Sequence, residues 1–286
     1  TLRTALFNPS DASEEAILVN ERDYQNAYAD PGQFVTKRND YGRYVLDIQN
    51  NNVFLLGEGH SKEGQFPFVD TMNLDSLVTN RLYQSDYTDK LESLSYATDM
   101  AKGDVLVRIE SPTEYPNYYI RNIVNGGLKQ VTDFANPFAS LQGVHKEVIE
   151  YPREDGLPLS GTLYLPPGYD RAPKNGKKEK LPLIMWAYPT EFKDKDAAGQ
   201  NTNNPNAFTY PYYGSMIYWV TRGYAVLDDA SFPIVGEGDE EPNDTFIKQL
   251  VANGKAAIDA VDKLGYIDRS RVAVGGHSYG AFMTAN

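Results

Sequence analysis

Near the carboxyl end the chain reads RVAVGGHSYGAFMTAN, and within it Gly276-His277-Ser278-Tyr279-Gly280 is a Gly-x-Ser-x-Gly pattern. A serine hydroxyl attacks an acyl carbon when it is exposed, when a base takes its proton, and when donors face the developing oxyanion. Between an apolar strand and a helix this pattern supplies the exposure. The turn is so tight that the serine is forced into a strained backbone conformation, and the flanking glycines let neighbouring backbone close on it. A glycine-rich turn alone is common, but both required flanks are present here, RVAV before and AFMTA after. Ser278 is the expected nucleophile, and the N–H of Tyr279 the expected oxyanion donor at the start of the following helix.

The base is harder to find. His277 adjoins the serine, so its side chain is expected to point away from Oγ, and it reads as structural. Neither of the other two histidines, His60 and His145, is expected to serve. Where a nucleophile elbow of this type is used, acid and histidine follow the serine in the chain. Both are therefore expected beyond Asn286, with neither the triad Asp nor the triad His in this chain. The absence of cysteine excludes thiolate zinc sites, disulfides and cysteine nucleophiles. No His or carboxylate spacing makes a metal site, and no cofactor is expected. The acidic run GEGDEEPND, residues 236–244, is read as stabilising a helix N-terminus rather than as a site for a peptide amine.

The elements that position Ser278 are legible upstream. Ile247, Leu250, Val251, Ile258, Val261 and Leu264 recur at helical spacing, predicting a helix over 244–264 with Asn243 or Asp244 as its cap and Gly265 at its end. The apolar runs LPLIMWAY (181–188) and GYAVLDD (223–229) read as strands, the first buried on both faces. With RVAV they make a βαβ unit in a parallel sheet. VHKEVIEY (144–151) and LSGTLYLPP (159–167) are expected to pair antiparallel.

The first half is different. Residues 44–56, then 77–85 with 90–98, then 118–123 with 128–134 read as three hairpins around Asn/Asp/Gly turns. They recur at intervals of roughly 35–40 residues, near the ~40–50 of a propeller blade, with a β-sandwich as the alternative. Twenty-one tyrosines in 286 residues favour half-exposed strands. The balance of 27 basic and 39 acidic residues, net −12, excludes a nucleic-acid or anionic-membrane partner, both of which need clustered Lys/Arg. The one dense basic run, KNGKKEK at 174–180, reads as a solvated turn. No apolar run has transmembrane length.

The stretches LPPGYD, WAYPTEFKDKDAAGQ, GEGDEEPNDTFIKQL and GGHSYGAFMTAN, with GEGHSKEGQFPF and QVTDFANP before them, resemble the prolyl oligopeptidase family of serine peptidases. They are most like its glutamyl-endopeptidase-like branch of plastids and bacteria. The resemblance implies a β-propeller over an α/β-hydrolase domain, with the active site between them. On it, residues 1–140 are the C-terminal part of a propeller of about three blades, and 141–286 the N-terminal part of the hydrolase domain. It implies Ser278 as nucleophile, the Tyr279 N–H as one oxyanion donor and the Tyr188 hydroxyl as the second.

The resulting expectation is a serine peptidase acting on peptide substrates through an acyl-serine, seen as an internal fragment that is inactive and folds poorly alone. Its remaining parts belong to the same polypeptide or arrive as another chain. A preference for cleavage after Glu is implied by the resemblance alone, with Lys193, Lys195 and Arg81 as candidate cations. A dipeptidyl or acyl aminopeptidase, an esterase, and an inactive propeller-based binding module stay open. So does the compartment, periplasmic or secreted in a bacterium and plastid in a plant.

Overall fold

A computed structural model describes residues 1–11 and 13–286, in two units, Thr1–Ala135 and Asn136–Asn286. In the first, β1 (Leu2–Leu6) and β2 (Ile17–Arg22) pair antiparallel. Next come β3 (Gln33–Phe34), β4 (Thr36–Arg38), β5 (Tyr44–Leu46), β6 (Asn52–Gly57), β7 (His60–Ser61), β8 (Gly64–Gln65), β9 (Phe68–Asn73) and β10 (Thr79–Gln84). A four-stranded antiparallel sheet takes the order β10-β9-β6-β3. The last strands, β11 (Leu91–Asp99), β12 (Asp104–Glu110), β13 (Asn117–Asn122) and β14 (Leu128–Gln130), form a second in chain order.

Alternation puts Val105, Val107 and Ile109 of β12 on one face, where they join Phe54 and Val69 of the first sheet in a single core. Buried Glu92 on β11 accepts hydrogen bonds from Tyr83 on β10 and Arg121 on β13, tying one sheet to the other. Burial and the neighbouring carboxylate push the Tyr83 phenol up, so it stays a donor.

Of the three expected hairpins, one pairs as read: β13 with β14. Asn50 and Asn51, at φ 49° and 60°, do make a tight turn closed by the Gln49–Asn52 bridge. The incoming run then leaves it, because β5 pairs with β4 while β6 pairs with β9 and β3. Residues 77–85 and 90–98 do not pair at all. They are β10 and β11, each committed to a partner in a different sheet.

In the second unit β15 (His145–Pro152) and β16 (Pro158–Leu165) form the expected antiparallel pair. There follow β17 (Leu181–Phe192), α1 (Lys195–Ala198), β18 (Ala225–Val235), α2 (Phe246–Lys263), β19 (Ile267–Gly275) and α3 (Tyr279–Ala285). The sheet order is β15-β16-β18-β17-β19, with β17 parallel to both β18 and β19. The β18–α2–β19 crossover therefore passes over β17, so the βαβ unit brackets a strand that precedes it in the chain.

α2 buries Phe246, Leu250, Ala257 and Val261 against the sheet, while Ile247 and Val251 of the expected stripe face solvent. Its approach is a turn of 3-10 helix, Pro242–Thr245, capped by reciprocal bonds between Glu241 and Asp244. Glu241 caps that turn and Thr245 is the N-cap of α2 itself, so neither Asn243 nor Asp244 is the cap. Gly265, at φ 81°, closes the other end.

One expectation of burial fails. On β17, Leu181, Leu183, Met185 and Ala187 are buried, whereas Ile184 and Trp186 are only half-buried and Tyr188 is exposed, so one face is fully covered. β19 lies at the sheet edge and leaves Val274 40% exposed. Among the described residues no helix is long and apolar enough to cross a membrane.

Candidate active site

Ser278 sits between the last residue of β19 and the first of α3, at φ 52° and ψ −113°. An L-residue rarely adopts that conformation, and holding it costs about 1–3 kcal/mol, offset by the surrounding structure. The N–H groups of Ala281 and Phe282 both donate to the Ser278 carbonyl, at 2.9 and 3.1 Å, so the helix begins immediately. Glycines make the turn sterically feasible. A Cβ on Gly276 would lie 2.5 Å from the Ala187 carbonyl oxygen and 2.6 Å from the Gly280 backbone, and a Cβ on Gly280 would strike the same carbonyl. Ser278 itself is exposed, at the carboxyl end of the parallel strands.

Ala187 belongs to β17, and the next residue on that strand is Tyr188, 55% exposed. The structure brings Tyr188 and Tyr279 together edge to face, ring centroids 6.0 Å apart. The N–H of Tyr279, first residue of α3, has no acceptor within the helix. Its ring stacks on Phe246, at 5.5 Å, and on Phe282, at 6.0 Å. Its hydroxyl donates to Glu191 Oε1 at 2.8 Å. Burial first, then the bond to Glu191 and its charge, push the phenol up to about 12. This contact spans 88 positions and joins two residues with no shared motif, so nothing in the sequence announced it.

No histidine reaches the serine. Among the described residues none hydrogen-bonds to Ser278 Oγ. His277 is exposed, His60 Nε2 lies 3.0 Å from Glu58, and His145 Nε2 lies 3.2 Å from Glu147 and 3.3 Å from Arg171. The three candidate cations each have a carboxylate partner: Lys193 with Glu241, Lys195 with Asp155 and Arg81 with Asp70. The acidic run 236–244 supplies the Glu241–Asp244 cap, consistent with its reading as a helix start. Among the described residues no group of three His, Cys, Asp or Glu gathers at metal-binding distance.

No family model matches the chain. It is 39% identical over 298 residues to a protein of Arabidopsis thaliana named probable glutamyl endopeptidase, chloroplastic. The alignment covers 99% of this chain and 31% of that protein, so the chain spans less than a third of the relative's length. Among solved structures, dipeptidyl peptidase 4 of Porphyromonas gingivalis matches 99% of this chain and 43% of its own, with TM-score 0.55 and 15% identity. A structure from a study of two prolyl endopeptidases matches 98% of this chain and 36% of its own, with TM-score 0.53 and 14% identity. These two likenesses concern the fold. The sequence relationship makes the chain similar, over almost its whole length, to proteins named as glutamyl endopeptidases.

Proposed function

We propose that this chain carries the nucleophile of a serine peptidase that cleaves peptide bonds through an acyl-Ser278 intermediate. The carrying observation is the strained, glycine-clamped turn at Ser278, exposed between a parallel strand and a helix. Attack forms the Oγ–carbonyl carbon bond as the hydroxyl proton passes to a base. Negative charge then builds on the former carbonyl oxygen, where the Tyr279 N–H and the Tyr188 hydroxyl are the proposed donors. Collapse expels the amine, which takes up the proton, and water later releases the acyl group.

The first unit is read as part of a propeller of about three blades, supported by its two four-stranded antiparallel sheets and the β1–β2 pair. The second is read as the N-terminal part of an α/β-hydrolase domain, supported by the parallel β18, β17 and β19 and the serine turn that follows β19. None of the three histidines bonds to Ser278, which supports a base from outside residues 1–286. These residues alone are then expected to lack triad-level turnover.

Selectivity for Glu at the cleaved bond is the substrate class that the relative's name suggests. The test is a peptide library with the full-length protein. Cleavage after Glu that exceeds cleavage after Gln supports the class, and equal cleavage removes it. Turnover that survives Ser278→Ala removes the serine mechanism.

A further inference from the structure

We propose that Glu191 is a positioning residue of the oxyanion site, its carboxylate holding the Tyr279 hydroxyl and so tying the first residue of α3 to the strand that carries Tyr188. The inference rests on the peptidase reading above. Glu191 and Tyr188 lie three residues apart on β17. Tyr279 carries the proposed main-chain donor, and its ring meets Tyr188 edge to face. One side chain therefore touches both halves of the site. Its hydroxyl is fixed by Glu191 at 2.8 Å, while Phe246 and Phe282 fix its faces.

The physical need for such a tie comes from Ser278. Its backbone is strained, and relaxation of the turn would move the N–H that follows it. Phe246 and Phe282 resist motion across the ring, and both belong to helices. Among these anchors of Tyr279, Glu191 is the polar one and lies on the same strand as Tyr188. The phenol stays protonated across neutral pH, so it donates throughout the working range. The bond is exposed to solvent, where water offers the phenol and the carboxylate comparable partners. It therefore adds little to folding stability and acts by fixing position, and small misplacements at a reacting centre are costly in rate.

The experiment is a mutant cycle in the full-length enzyme with Glu191→Ala, Glu191→Gln, Tyr279→Phe and the double variant Glu191→Ala/Tyr279→Phe. Glu191→Ala and Tyr279→Phe should each lower kcat roughly tenfold or more with KM changed by less than about twofold. The double variant should be no slower than the slower single variant, because one bond is being removed twice. Glu191→Gln keeps an acceptor oxygen and should retain most of the rate, and all variants should unfold at the wild-type temperature. A wild-type kcat in Glu191→Ala, or losses that multiply in the double variant, would overturn the proposal. So would a changed preference at the cleaved bond with kcat preserved, since Glu191 would then be reading substrate. Ser278→Ala serves as the separate control. If it keeps wild-type turnover, the peptidase reading falls and takes this inference with it. If it is inactive while Glu191→Ala is normal, this inference alone fails.

Discussion

The carbonyl oxygen of Ala187 lies 2.5 Å from where a Cβ on Gly276 would sit. Gly280 presses on the same oxygen from the other side of the serine turn. Two glycines on the elbow thus close around one carbonyl of the neighbouring strand, and every crowded atom is backbone. Gly276→Ala and Gly280→Ala should each destabilise the protein by about 1–3 kcal/mol, since backbone cannot move aside as a side chain does. Denaturant midpoints at constant slope would measure it, and a midpoint equal to wild type would show that the turn yields.

Gly254 is the opposite case. It lies inside α2, and a Cβ there would make ordinary contacts with Phe232 at 3.7 Å and Met185 at 3.8 Å. Gly254→Ala should stabilise by about 0.5–1 kcal/mol, through reduced freedom of the unfolded chain and the added burial. A raised thermal midpoint is expected, and a lowered one would mean that the helix is closer to the sheet than this geometry allows.

Tyr188→Phe removes only the hydroxyl proposed to meet charge in the transition state. It should lower kcat by about a hundredfold or more with little change in KM, the usual scale for one oxyanion donor. Kinetics under conditions where the chemical step is limiting give the answer. A kcat near wild type would take Tyr188 out of the oxyanion site.

Asp228 gives the fold a pH dependence. Between the paired positions Met185–Leu227 and Ala187–Ala230, the strands bulge, with Asp228 and Asp229 opposite Trp186 and Asp229 at φ 51°. Burial pushes the Asp228 carboxyl up to about 6, with the charge of Asp229 adding to the rise. Asp229 shifts the same way, although much of its surface meets solvent, so its part is the smaller. The nearby Tyr164 phenol is pushed up to about 12 and stays neutral.

Because the folded carboxyl of Asp228 holds its proton more tightly than the unfolded one, stability falls as pH rises from about 4 to about 6. Above that range the full penalty applies, roughly 1–3 kcal/mol. Asp228→Asn should raise the thermal midpoint at pH 8 and leave it unchanged near pH 4. A shift of equal size at both values would mean that charge is not the cause.

Local chemistry was legible in the sequence, and pairing across distance was not. The strand and helix around Ser278 were read from three apolar residues, two glycines and a short helical run. The α2 helix was read from its periodic residues, although its stripe overreached to exposed Ile247 and Val251. The insertion of β17 between β18 and β19 had no local signal, since strands of similar apolar character can take either order. Residues 77–98 looked like a hairpin because the short DYTD link permits one. Each strand instead lies at the edge of its own four-stranded sheet, β10 paired with β9 and β11 with β12. Tyr188 was singled out by the family resemblance, whereas Glu191 could not be, because its bond to Tyr279 exists only once β17 and α3 meet.

The central claim is that Ser278 is an activated nucleophile. The most direct measurement is covalent labelling of the full-length protein by a fluorophosphonate, with the modified residue located by peptide mass spectrometry. The account predicts one label on Ser278, lost in Ser278→Ala while Tyr188→Phe, although slower, still reacts at the same residue. A wild-type protein that takes no label, or takes it on a different serine, would contradict the account.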